Sequence, residues 1–83
     1  MIYLDANIFI IAALTNDNRA ENAKKILSEV ISGKIEAYTS ALTIDEITWI
    51  LWKQTKDKEL AIDQSLRILQ FNNLHIIPVE NFE

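Results

Sequence analysis

Two carboxylates fall where a chain can put them to chemical use. Asp5 closes the apolar run Met1-Ile-Tyr-Leu4 and stands directly before the apolar stretch Ala6 to Leu14. Glu46 lies six residues beyond Ser40, where a second short apolar run gives way to a long helical pattern. In a parallel sheet, the edge formed by the carboxyl ends of the strands is where ligands bind. Two acids from successive strand–helix junctions converge there when the crossovers are right-handed. Hard oxygen donors without Cys or His partners suit Mg²⁺ or Mn²⁺, ions that polarise a phosphate and activate water for in-line attack.

Each acid also has a plainer reading. Asp5 can simply cap the helix that follows it. Thr43-Ile44-Asp45-Glu46 fits the Ser/Thr-x-x-Glu capping box, in which the Glu turns back to the helix start. At the level of single residues both readings stay open.

Other side chains invite less. Trp49 and Trp52 have the spacing of a stacking platform for bases, but such a pair is more often core or subunit interface. Lys53, Lys56 and Lys58 suit a solvated helix end favoured by the dipole. Arg19, Lys24 and Lys25 read as a wet helix face, and the lone histidine, His75, as a structural strand residue.

The elements that must position the acids follow from hydrophobic spacing. Ile2 to Leu4 reads as a short strand and Ala6 to Leu14 as a buried helix. From Arg19 to Ser32 the apolar positions Ala20, Ala23, Ile26, Leu27, Val30 and Ile31 mark an amphipathic helix, with Gly33 as its C-cap glycine. Glu36 to Thr39 is a second strand. Ala41 to Lys56 is a helix apolar on more than one side, which predicts partners on two faces. Lys58 to Gln70 is again amphipathic, and Leu74 to Val79 is a third strand. Strands separated by helical crossovers predict an α/β fold, a parallel sheet with helices on both faces.

With these elements in place, a family resemblance emerges. Met1-Ile-Tyr-Leu-Asp-Ala-Asn-Ile-Phe-Ile10 is similar to the opening motif of PIN domains: an apolar strand, the first acid, and a small polar residue two places on. Ala6 departs from the Thr or Ser usual between them. Ser40-Ala-Leu-Thr-Ile-Asp-Glu46 resembles the second motif, in which a small polar residue closes the second strand and a Glu enters from the next helix. Leu74-His-Ile-Ile-Pro-Val79 is similar to the family's third strand.

The resemblance covers essentially the whole chain and implies a three-layer α/β/α fold. Its five-stranded parallel sheet would run in the order 3-2-1-4-5, seen here through the third strand as a partial domain spanning residues 1–83. It implies a Mg²⁺- or Mn²⁺-dependent endoribonuclease of the kind found in VapC toxins. Asp5 and Glu46 would be catalytic and metal-binding, Asn7 and Ser40 supporting, RNA the substrate and an antitoxin protein a possible partner. The family's remaining acids belong beyond Glu83, and Asp45, Glu80 and Glu83 are wrongly placed to replace them. The site is therefore expected to be incomplete and inactive alone, with a non-catalytic dimerisation or partner-binding module as the alternative function. The first strand, left as an edge, predicts a homo-oligomer or a complementing fragment.

Composition bounds these expectations. The chain has 83 residues, no Cys, one Gly and one Pro, with 49 % apolar residues, so it reads as one small globular domain without disulfides. Its longest apolar run, Ile8 to Leu14, is far short of the roughly 20 residues of a membrane span. No basic leader precedes it, and a cytoplasmic setting is expected. The net charge of −4 offers nucleic acid no general attraction, so RNA binding needs local cations or a metal.

Overall fold

The computed structural model describes residues 1–78. In chain order the elements are β1 (Ile2–Tyr3), α1 (Ala6–Leu14), α2 (Asn18–Ile31), β2 (Ala37–Ser40), α3 (Ala41–Thr55), α4 (Lys58–Leu69) and β3 (Leu74–Ile77). The expected end of the third strand at Val79, and the acids Glu80 and Glu83, lie outside the described residues.

The three strands form a parallel sheet in the order β1-β2-β3. Ile2 pairs with Ala37 and Tyr3 with Tyr38, while Ala37 to Ser40 run in register with Leu74 to Ile77. The short β1 is pinned beyond its own ladder. The Leu4 amide donates to the Tyr38 carbonyl at 2.9 Å, and the fully buried Thr39 hydroxyl donates to the Leu4 carbonyl at 2.7 Å. These two bonds fix the residue that immediately precedes Asp5.

Strand side chains alternate between faces. On one face Leu4, Ala37, Thr39 and Leu74 are buried; on the other Tyr3, His75 and Ile77 are exposed and Tyr38 is half-buried. All four helices cover the first face. Phe9 of α1, Leu27 of α2, Ile47 and Leu51 of α3 and Ile68 of α4 meet around one apolar cavity of about 120 Å³. The α/β class and the parallel sheet are as the sequence predicts, but among the described residues the helices form a single layer. The reason is geometric: the strands step in one direction, and successive right-handed crossovers in one direction fall on the same side of the sheet.

Helix ends follow their capping chemistry. Asp17 accepts from the amides of Arg19 and Ala20 at the start of α2. Gly33, at φ 88°, takes the left-handed turn after it, and the Asn73 side chain donates to the Val30 carbonyl at 3.1 Å, tying that turn to the start of β3. Asp57 caps α4 through the Leu60 amide. Buried Ser65 and half-buried Thr48 bond to each other where α4 crosses α3, one donating to the other, and the hydroxyl left as acceptor donates to the carbonyl four residues back in its own helix.

The long helix α3 departs from expectation. Ile44, Ile47 and Leu51 are buried, but Leu42, Trp49 and Trp52 face outward, with the two tryptophans 57 % and 45 % exposed. Of the reading of Trp49 and Trp52 as core or subunit interface, the core half is corrected: α3 packs against α4, α1 and β2, yet both indoles remain about half exposed. His75 pairs with Glu36 at 3.3 Å on the open face of the sheet.

Candidate metal centre at the carboxyl edge of the sheet

Asp5 leaves β1 in extended conformation and caps α1, accepting the Asn7 amide at 2.9 Å on Oδ1. The cap and the chemical reading are therefore compatible. One oxygen holds the helix start, and Oδ2 has no hydrogen-bond partner among the described residues. The Asn7 side chain stands one residue into the new helix, on the solvent side.

Glu46 reaches the same place from α3. Its expected capping box does not form. The N-cap of α3 is Ser40, whose hydroxyl accepts the Thr43 amide at 3.1 Å. Thr43 is thus already inside the helix, and Glu46 lies in its second turn with no capping duty. The chain turns out of the sheet at Ser40, so the helix begins three residues before the box pattern would start it.

Asp5, Asn7 and Glu46 line one cleft of about 260 Å³, together with Tyr3, Ala6 and Thr43. Ser40 stands behind this wall. Its hydroxyl bonds the Thr43 hydroxyl at 3.0 Å, and Thr43 in turn bonds the Tyr3 hydroxyl at 2.9 Å. The chain Ser40–Thr43–Tyr3 ties the start of α3 to the end of β1, and so ties the element bearing Glu46 to the one bearing Asp5. Hydrogen bonding to Thr43, then to Ser40, holds the Tyr3 hydroxyl below its ordinary pKa, against desolvation and the smaller opposing effect of the Asp5 charge.

Tyr3 was not singled out from the sequence, and Thr43 only as a capping residue, yet both are one structural period from an acid. Tyr3 and Asp5 are two residues apart at a strand end, and Thr43 and Glu46 three apart on a helix. Asp45, beside Glu46, does not line the cleft.

The donors around the cleft are all oxygens or amide groups: two carboxylates, a phenol, a threonine hydroxyl and an asparagine amide. That set fits a hard divalent cation. Mg²⁺ is commonly held by one or two carboxylates, completing its shell with water and substrate phosphate. Among the described residues no group of three or more His, Cys, Asp or Glu is assembled to hold a metal ion, so the two acids are the whole charged donor set there. Among the same residues no helix is long and apolar enough to cross a membrane.

Comparison with known proteins is concentrated in one result. No curated protein and no solved structure matches the chain. The family model described as PIN domain matches residues 2–83. With the parallel sheet, the two acid-bearing junctions and this match over nearly every residue, the chain belongs to the PIN domain family.

Proposed function

We propose that Asp5 and Glu46 belong to a Mg²⁺- or Mn²⁺-dependent endoribonuclease site, of the kind used by VapC-like toxins. PIN domains are in general divalent-metal-dependent nucleases acting on RNA, and membership is the starting point. The observation that carries the reading is the shared cleft of Asp5, Asn7 and Glu46.

Asp5 and Glu46 would hold the cation, which when bound supplies charge for the phosphate and a more acidic water. The residues themselves do the positioning. The Asn7 backbone N–H fixes the Asp5 carboxylate through Oδ1 and leaves Oδ2 without a hydrogen-bond partner among the described residues, available to the cation. Ser40 and Thr43 fix the origin of α3, and Glu46 projects from its next turn. The Tyr3 hydroxyl, already bonded to Thr43, closes the wall between the two acids. An antitoxin partner belongs to the same reading, as does the completion of the site by further acids.

The test is cleavage of a single-stranded RNA by the full chain with Mn²⁺, compared with Asp5→Asn. Metal-dependent cleavage that falls by about 100-fold or more in the variant supports the reading. Cleavage unchanged by Asp5→Asn sinks it.

A second reading, a non-catalytic dimerisation or partner-binding module, has its own observation. The tyrosine pair of exposed Tyr3 and half-buried Tyr38, 5.1 Å between ring centres, and exposed Ile77 leave one face of the sheet open beside β1, an edge strand among the described residues. It predicts that Tyr38→Asp changes the oligomeric state while Asp5→Asn does not.

A further inference from the structure

We propose that Trp49 and Trp52 form a stacking platform for unpaired RNA bases, with Lys53, Lys56 and Lys58 holding the phosphates between them. The proposal rests on the reading of the chain as an RNA-directed nuclease and says where the strand runs beyond the cleft.

The two indoles are 57 % and 45 % exposed and line a groove of about 320 Å³ with Lys53 and Lys56. The Lys53 ammonium lies 4.8 Å from the centre of the Trp49 ring, and that of Lys58 5.2 Å from the Trp52 ring. None of the three lysines has an ion-pair partner among the described residues. Asp57, the nearest acid in sequence, is turned to cap α4 through the Leu60 amide at 3.0 Å. A cluster of unneutralised cations around two exposed aromatic rings runs against a chain whose net charge is −4.

Position links the groove to the cleft. Trp49 follows Glu46 by three residues and Lys53 by seven, so all three share a face of α3. At 1.5 Å rise per residue, Trp52 lies about 9 Å along the helix axis from Glu46. That is about the length of two or three stacked nucleotides at roughly 3.4 Å each.

Single-stranded nucleic acid is the occupant that matches both halves of this chemistry. Its bases offer π-faces to the indoles and its phosphates offer charge to the lysines. A second copy docked symmetrically on the groove brings a second set of lysines, and the like charges oppose it. An exposed cation–π contact is weaker than a stacked base. An arriving base therefore takes the ring face and leaves the ammonium beside its own phosphate.

The experiment titrates the full chain with a short oligouridylate in EDTA, reading tryptophan fluorescence and anisotropy. Quenching is expected, with Trp49→Ala and Trp52→Ala each weakening binding by roughly tenfold or more. Trp52→Phe should retain most of the affinity, and an abasic strand of equal length should bind as weakly to the parent chain as oligouridylate binds to the alanine variants. Circular dichroism checks that these surface substitutions leave the fold intact. Equal binding by both alanine variants, or tight binding of the abasic strand, overturns the proposal. So does a Trp52→Ala chain that loses self-association in light scattering while its RNA affinity is unchanged, since the groove is then an interface between copies. EDTA separates this test from the nuclease reading. Quenched tryptophans in a chain whose cleavage is unchanged by Asp5→Asn leave the platform standing and remove the nuclease reading of the cleft. Cleavage with unquenched tryptophans does the reverse.

Discussion

In the proposed site Asp5 would do two jobs with one carboxylate, divided between its two oxygens. Oδ1 accepts the Asn7 backbone N–H at 2.9 Å, and Oδ2 has no hydrogen-bond partner among the described residues. An N-cap and a metal ligand are often treated as rival explanations of an acid at a strand–helix junction, and here the two are compatible. The cap removes rotational freedom from the side chain before any cation arrives. Asp17 makes a useful contrast, since it is an acid committed wholly to structure. Its Oδ1 caps α2 and its Oδ2 pairs with the Arg19 guanidinium, and the hydrogen bond to Arg19 holds its carboxyl below the usual aspartate range. A folded-state pKa lowered in this way adds stability that is present above the unfolded value. That stability is lost as pH falls through the unfolded value of about 3.9 toward the lower folded one. Asp17→Asn keeps the cap, because Asn caps as well as Asp. It is therefore expected to flatten the acid limb of a urea-unfolding profile below about pH 4 while changing stability at neutral pH only slightly.

At the scale of elements, the site depends on how β1 and α3 are joined. Ser40 caps α3, Thr43 links it to Tyr3, and Thr39 bonds the Leu4 carbonyl. Ser40→Ala is expected to cost about 1 kcal/mol in chemical denaturation, the usual loss for an N-cap serine. Thr39→Val leaves a buried carbonyl without that partner and should cost about 1–3 kcal/mol. Both should weaken metal binding through the displaced acids. Much of this level was legible in the sequence. The spacing of Ala20, Ala23, Leu27 and Val30 marked α2, all four of them are buried, and Gly33 ended it as a left-handed residue. The capping of α3 was harder. Both Ser40-Ala-Leu-Thr43 and Thr43-Ile-Asp-Glu46 have cap-like patterns, and only the point where the backbone leaves the sheet decides between them. Ser40 wins because it ends β2, which frees Glu46 from the helix start.

Across the whole molecule, the sequence identified the strands and the parallel sheet but not which apolar surfaces would be covered. Hydropathy marks Ile47 and Trp49 alike, yet Ile47 is fully buried and Trp49 is more than half exposed. Burial depends on which helices arrive from elsewhere in the chain, and all four arrive on one side of the sheet. Among the described residues, the surfaces left facing outward include the open sheet face with Tyr3, Tyr38 and Ile77, and the aromatic groove of α3. The cleft of Asp5 and Glu46 opens between their parent elements, at the end of the sheet where β1 and β2 give way to helices. The central claim is that those two acids share one cation. Mn²⁺ binding to the full chain, followed by electron paramagnetic resonance, tests it most directly. The account predicts one site, weakened about tenfold or more by Asp5→Asn and likewise by Glu46→Gln, with the double variant little worse than either alone, because both changes remove ligands from the same ion. Unaltered binding by Glu46→Gln, or losses that simply multiply in the double variant, would contradict it.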